Sequence, residues 1–479
     1  MTVVTSDANG TGATRLAVLG AGPGGYPAAF HAAERGLDVT LIDTRPQPGG
    51  VCLYEGCIPS KALLHVAKLM REARHASEWG IEFGEPQVDL DQLRDWKDGV
   101  VRKMTNGLGL LRRQHHVQYQ QGFGRIRDAT QLNIESNGEV LPLDFDALII
   151  ATGSTAVIPR PLQLDSERVM DAAQALELPE VPDSLLVVGG GYIGLELGTV
   201  YAELGSTVTV VEALPDILSG VEHDLVRVLK RSLRSRFADT LVNTTVVSLT
   251  EVDHGVEEVL ADDAGVERTE TFDRVLIATG RRPNSGGLGL HRTKAHVDDH
   301  GFIVTDMQRR TAEPSILAIG DVAGEPMLAH KATAEASVAV EAILGEPSTF
   351  RPLAVPAVIF TDPEIAWCGL TQPDAAAMDI EATTVSFPWA ALGRASASGR
   401  NDGLTRLVIE EGSERVLGMQ IVGPGAGELI GEGVLAVEVG ARASDLAESI
   451  HAHPTLNESI MEAAQLFFGR SPHFIARRR

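Results

Sequence analysis

Short apolar runs of the length of buried strands recur along the chain, each leading through a glycine-rich turn into a run of helical periodicity. Leu16-Ala17-Val18-Leu19 is the first. It passes through Gly20-Ala21-Gly22-Pro23-Gly24-Gly25 into a small-residue helix carrying Ala28, Ala29, Ala32 and Ala33, and that helix stops at Gly36. A second strand is predicted over 38–43, polar helices around 69–114, further strands around 117–143, and a closing apolar strand at 147–150 before Ala151-Thr152-Gly153. The cycle restarts at Leu185-Leu186-Val187-Val188 and closes at Val275-Leu276-Ile277 before Ala278-Thr279-Gly280. A later apolar strand over 315–319 ends in Gly320-Asp321, and a helix opens near 327–331. From about residue 351 the texture changes to alternating strands at 354–360, 382–387, 404–409 and 417–422, followed by helices at 428–439 and 444–449. Asp183-Ser184 and Gly286-Gly287 read as linkers.

The two cycles are one unit written twice. Gly20 and Gly189, Gly25 and Gly194, Gly36 and Gly205, and Asp43 and Glu212 all stand 169 positions apart, without a gap. Strand, glycine turn, helix, strand and acid in that order form the setting of a dinucleotide site. The first glycine makes the tight turn, the second (Gly22, Gly191) lets a pyrophosphate approach the backbone, and the third lets helix pack on strand. The acid at the end of the second strand is placed to hold a ribose hydroxyl. Glu212, with no Arg or Lys in Ala213-Leu214-Pro215, accepts a free 2′-hydroxyl and repels a 2′-phosphate, so NAD is expected over NADP.

The chemistry concentrates in Gly49-Gly50-Val51-Cys52-Leu53-Tyr54-Glu55-Gly56-Cys57-Ile58-Pro59-Ser60-Lys61, which holds two of the three cysteines just after the first unit. Helical periodicity resumes past Pro59, so Cys57 is predicted near a helix N-terminus, where free N–H groups favour a thiolate. The pair reads as a redox disulfide beside a flavin. A zinc site would want a second close Cys or His pair; the remaining cysteine, Cys368, stands alone, and no metal is expected.

Composition narrows the class. At 479 residues the chain suggests three or four domains, and its 44% hydrophobic and 22% charged residues describe a soluble globular protein. A formal charge of -24 argues against nucleic acid or an anionic membrane as partner. No apolar stretch is long enough for a membrane span. Residues 1–14 read as a polar tail without a signal peptide, and a cytoplasmic location is expected.

A second chemical feature lies near the C-terminus: His451-Ala452-His453-Pro454-Thr455-Leu456-Asn457-Glu458. Thr455 and Glu458 have capping-box spacing for the last helix. The same segment also supports His453 as a general base with Glu458 fixing its tautomer. A thiol enzyme needs a base of near-neutral pKa, which favours the second reading. His330, a helical histidine with no partner cluster, reads as a packing or capping residue.

With both nucleotide units, Cys-x4-Cys, Gly320-Asp321 and His-Pro-Thr-x-x-Glu in that order, the chain resembles the flavin disulfide reductase family, and within it the dihydrolipoamide dehydrogenases. The likeness runs from about Leu16 to about Arg470 and includes Thr361-Asp362-Pro363-Glu364-Ile365-Ala366-Trp367 and Phe387-Pro388-Trp389-Ala390. It implies an α/β protein with two three-layer Rossmann-like domains and a C-terminal α+β dimerisation domain. The expected divisions are 1–153 for FAD, 154–280 for NAD, 281–350 completing the FAD site, and 351–479 at a homodimer interface. It also implies that Gly20, Gly22, Gly25, Asp43, Lys61, Gly124, Gly153, Asp321 and Ala329 serve FAD. Gly189, Gly191, Gly194, Glu212, Val246 and Gly280 would serve NAD, with Tyr192 gating the nicotinamide pocket and Glu196 pairing with Lys61. Cys52 and Cys57 would form the redox disulfide, served across the interface by the second subunit's His453 and Glu458. The implied reaction is oxidation of protein-bound dihydrolipoamide by NAD, with lipoyl domains and the peripheral subunit-binding domain of an acyltransferase core as partners. Glutathione reductase would need a cationic site where Glu212 stands, and mercuric reductase an extra terminal thiol pair. A non-catalytic flavoprotein scaffold is the rival from another class. Family members commonly have Thr at the Val51 position and a small or polar residue in place of Tyr54 and Glu55.

Overall fold

The computed structural model describes residues 13–475; residues 1–12, the larger part of the predicted polar tail, lie outside the described residues. The first sheet has five parallel strands in the order Ile316–Ala318, Ala147–Ile150, Arg15–Leu19, Asp38–Asp43 and Gln118–Gln121. The second repeats it: Val169–Met170, Arg274–Ile277, Ser184–Val188, Thr207–Val211 and Asp239–Leu241, again all parallel. The 169-residue offset is thus a structural repeat. The outer strand beside each closing strand comes from elsewhere in sequence, after the second unit in one case and before it in the other.

Alternate side chains of each central strand go to opposite faces, which is why these strands are apolar throughout. Leu16 and Val18 pack under the helix Gly25–Glu34 with Ala28, Ala32 and Ala339, whereas Ala17 and Leu19 join Ile126, Leu132 and Ile134 of an antiparallel ribbon. The second unit divides the same way. Leu185 and Val187 face Leu197 and Val200 of the helix Tyr192–Leu204, and Leu186 and Val188 face Leu249, Val256 and Phe272 of a ribbon formed by Thr245–Val252, Gly255–Ala261 and Glu267–Phe272. Burying each of these Leu or Val side chains contributes roughly 1.5–3 kcal/mol. Each unit therefore has three layers, helix, parallel sheet and ribbon.

The C-terminal part is a five-stranded antiparallel sheet ordered Ala357–Ile359, Glu364–Gly369, Val416–Gly423, Leu404–Glu410 and Ala382–Pro388. The helices Ala426–Glu438, Ala443–Glu448 and Glu458–Phe467 contribute to its core. Trp389 is fully buried there, its Nε1 donating to Thr405 Oγ1 at 3.0 Å. Gly403 and Gly423 make room for its ring, since a Cβ at Gly423 would sit 2.2 Å from it. The predicted strand at 354–360 narrows to Ala357–Ile359, because Pro356 has no N–H to give a ladder. Asp183-Ser184 is not a linker: Ser184 opens a central strand and its Oγ donates to Asp273 at 2.8 Å.

The helix Cys57–His75 ties the halves together. Its Leu63 and Ala67 share one core with Val200 and Tyr201 of the second unit. No helix among the described residues is long and apolar enough to cross a membrane.

Candidate active site

The helix Cys57–His75 begins with Cys57 at its first residue, and Cys52 lies in the preceding short helix Gly50–Glu55. Both line a cleft of about 350 Å³ that also takes in Gly20, Asp43, Lys61 and Asp321. The cysteines are unbonded, in the dithiol form. Cys52 donates its S–H to Cys57, and this bond more than any other cause pulls the Cys57 thiol down to about 7 from an ordinary 9.0. Burial opposes the shift, and the Lys61 ammonium assists it. The Cys52 thiol is pushed upward by the same bond and by burial. The pair is therefore asymmetric, with the charge on the sulfur at the helix N-terminus.

Beneath the thiols, Lys61 Nζ meets Glu196 Oε2 at 2.8 Å. Glu196 is buried, and its other oxygen accepts the Phe360 N–H at 2.9 Å, while Lys61 Nζ lies 4.4 Å from the Phe360 ring centroid. A carboxylate so placed is held by two donors, and the Lys61 charge is fixed beside Cys57. Tyr192, half exposed, stands on the opposite wall at the start of its helix.

The two glycine turns are built alike. A Cβ at Gly20 would fall 2.3 Å from Ala151 O, and at Gly189 2.4 Å from Ala278 O. One at Gly25 would fall 1.7 Å from Gly20 O, and one at Gly194 2.2 Å from Gly189 O. The middle glycines differ from these: Gly22 has nothing nearer than Gly50 Cα at 3.8 Å, and Gly191 has nothing within 4 Å. Space is thus kept where a pyrophosphate would lie, so the residues fit FAD at the first turn and NAD at the second. The acids are anchored identically. Asp43 Oδ2 accepts Ala21 N–H at 2.6 Å and Oδ1 accepts Arg45 N–H at 2.9 Å; Glu212 Oε2 accepts Gly190 N–H at 2.7 Å and Oε1 accepts Leu214 N–H at 2.9 Å.

Gly124 lies in an adjoining cavity of about 460 Å³ that shares Gly20 and Asp43 with the cleft. Gly153 and Ala329, the first residue of the helix Ala329–Ile343, line the cleft itself. Val246 begins the second ribbon just after Thr244, whose N–H bonds to Glu212 O at 3.0 Å, and Gly280 follows the closing strand at φ 134°. Asp321 Oδ2 accepts from Ser154 Oγ at 2.5 Å, and Ser154 Oγ accepts from Arg281 Nε at 2.8 Å. Sequence reasoning missed this relay; its signal was the pair of residues directly after each Ala-Thr-Gly phrase. It also missed Glu335, which accepts Gly320 N–H at 2.6 Å and sets the turn before Asp321.

Two departures from the family pattern prove to share one partner. Arg45 meets Glu55 Oε1 at 2.7 Å and lies 4.7 Å from the Tyr54 ring centroid, so the Glu55 charge is paired.

His453 and Glu458 form a separate site that does not line the cleft. His453 Nδ1 lies 2.8 Å from Glu458 Oε1, and Glu458 Oε2 accepts Thr455 N–H at 2.8 Å, so one carboxylate serves both as cap and as histidine partner. Burial pushes the Glu458 carboxyl up, but the Thr455 and His453 bonds outweigh it and hold it below its ordinary value. The His453 side chain is 72% exposed, which leaves its far nitrogen open. His330 has a structural bond, with Nε2 2.7 Å from Pro356 O.

Residues 14–336 match the family described as pyridine nucleotide-disulphide oxidoreductase, and residues 355–464 match that family's dimerisation domain, which supports a homodimer. The dihydrolipoyl dehydrogenase of Vibrio parahaemolyticus is 42% identical over 95% of this chain and 96% of its own length. That of Haloferax volcanii is 43% identical over 97% and 98%. Among solved structures, the crystal structure of LpdA from Mycobacterium tuberculosis superimposes with a TM-score of 0.88 at 30% identity, covering 95% of this chain and 99% of that one. The chain belongs to the pyridine nucleotide-disulphide oxidoreductase family, whose members use FAD and NAD.

Proposed function

We propose that the protein oxidises protein-bound dihydrolipoamide to lipoamide and reduces NAD to NADH, as a dimer with active sites shared between subunits. One observation carries this reading: Cys52 and Cys57 meet at the cleft wall with the charge biased onto Cys57. In the oxidised enzyme the two sulfurs would be a disulfide. His453 of one subunit takes a proton from a substrate thiol, and the thiolate attacks Cys52 of the other. The disulfide breaks and Cys57 leaves as thiolate, stabilised by Lys61 and the helix N-terminus. The second substrate thiol then displaces Cys52 and closes the lipoamide ring. FAD, when bound along the first glycine turn and Asp321, supplies the route for the electron pair from Cys57 to NAD at the second turn. Glu458 keeps the His453 Nε2 free to accept the proton.

The cofactor roles of the remaining glycines, Asp43, Glu212, Val246 and Tyr192, and the divisions at 153, 280 and 350, belong to the same proposal. So do lipoyl domains and an acyltransferase core as partners, to which the acidic chain suits a basic peripheral binding domain, and a cytoplasmic location. Mixing Cys57→Ser subunits with His453→Gln subunits tests the reading, since a heterodimer would hold one intact site. Recovery of activity on mixing supports it, and inert heterodimers defeat it.

A further inference from the structure

Away from the cleft, where the helix Cys57–His75 passes the second unit and the dimerisation domain, lies a cavity of about 1150 Å³. Its inner end gathers guanidinium groups from three parts of the chain. Arg71, Arg236 and Arg400 all converge on Asp362, with Arg236 Nη2 3.2 Å from Oδ2. Arg74 takes Glu203, with Nη1 2.8 Å from Oε2, and Arg236 reaches the same carboxylate at 3.6 Å. Four cations therefore share two carboxylates, which leaves two positive charges over in a protein of net charge -24.

Burial makes that excess costly. The Arg71 side chain is 9% exposed and that of Arg236 10%. Arg71 Nη2 is buried with no hydrogen-bond partner in the protein. Burial first, then repulsion from Arg236 and Arg400, drives the Arg71 guanidinium down to about 10. Removing a buried charge's partner is strongly unfavourable, and an anion supplied from solution would remove the imbalance. The rim is more nearly neutral, with Lys68 and Arg394 set against Glu72, Glu78 and Asp402. Trp79, 60% exposed, also lines the cavity and offers a flat apolar face.

We infer that this arginine-lined cavity is a binding site for a small phosphate-bearing anion, held by Arg71, Arg236 and Arg400 and distinct from both dinucleotide sites. Planar guanidinium forks suit a tetrahedral oxyanion, and Ser235 adds a hydroxyl donor within the same cavity. The ligand would bridge the helix that begins with Cys57 to the dimerisation domain.

The test is calorimetric titration of the FAD-loaded dimer with inorganic phosphate and, separately, AMP. Saturating NAD covers the dinucleotide cleft, and sodium chloride holds ionic strength constant. One saturable site per chain is expected. Arg400→Gln, at a partly exposed position that leaves the fold intact, should weaken it about tenfold or more, while Arg71→Lys should keep part of the affinity. Tighter binding of AMP with quenching of Trp79 fluorescence would assign a nucleotide; equal binding would assign a free phosphate group. Absence of saturable binding, or binding indifferent to Arg400→Gln, would overturn the inference.

Discussion

Replacing Cys52 with alanine removes the hydrogen bond that contributes most to the low Cys57 thiol, and leaves Lys61 and the helix N-terminus as its only support. Burial, which pushes Cys57 up, stays. The Cys57 midpoint should climb from about 7 to its ordinary 9.0 or beyond. At pH 7 the thiolate fraction would drop from about one half to about 1%, a change of about fiftyfold. Thiolates of higher pKa are more nucleophilic, with a slope of about 0.45 per unit, which returns about eightfold. The net slowing of Cys57 alkylation at pH 7 is then about sixfold, while the midpoint of its pH profile moves by about two units. The assay is anaerobic iodoacetamide labelling of the reduced protein from pH 5 to 10, with Cys57 quantified by peptide mass spectrometry. An unchanged midpoint in Cys52→Ala would refute the claim that the neighbouring thiol sets the charge, and Lys61→Met would then be the variant to carry the shift.

Other outcomes follow from the same geometry. Gly194→Ala should unfold or loosen the second unit, because its Cβ meets Gly189 O, whereas Gly191→Ala should keep the fold and lose NAD affinity; thermal melting and NAD calorimetry separate the two. Glu212→Ala should erode the preference for NAD over NADP in kcat/KM, and an unchanged ratio would remove the carboxylate from cofactor choice. Glu458 has a folded-state value below its unfolded one. Its stabilisation is therefore complete above the unfolded carboxyl value and is lost as pH falls through the folded one. Glu458→Gln should lower the urea midpoint at pH 7 by an amount equivalent to about 1.5–3 kcal/mol and show a smaller further loss toward pH 3 than the parent. Parallel losses in both proteins would contradict this.

Much of this architecture was legible because it is written twice. The offset joining Gly20 to Gly189 and Asp43 to Glu212 required no knowledge of contacts, and it became two sheets of matching strand order. The outer strands beside the closing strands were not legible. Val169–Met170 and Ile316–Ala318 are two and three residues long, too short to carry a period, and they acquire strand geometry only from the neighbours they pair with. The residues of the site were visible as motifs, whereas their supports were not. Phe360 holds Glu196 from 164 residues away, and Ser154 reaches Asp321 across 167. Such pairings have no sequence spacing from which to be read. Thr455 and Glu458 left two readings open, and the carboxylate satisfies both because each of its oxygens takes a different partner. The cluster around Asp362 was invisible for the same reason, since Arg71, Arg236 and Arg400 meet only in three dimensions.

The central claim is that Cys52 and Cys57 exchange electrons with a flavin bound in their cleft. Anaerobic titration of the FAD-loaded protein with dihydrolipoamide, followed by absorbance, tests it most directly. The account requires one equivalent of dithiol per chain to raise a long-wavelength band from a Cys57 thiolate against oxidised flavin, and that band to be missing in Cys57→Ser. A protein that binds FAD yet takes up dithiol electrons with no such band, or shows the band unchanged without Cys57, would contradict it.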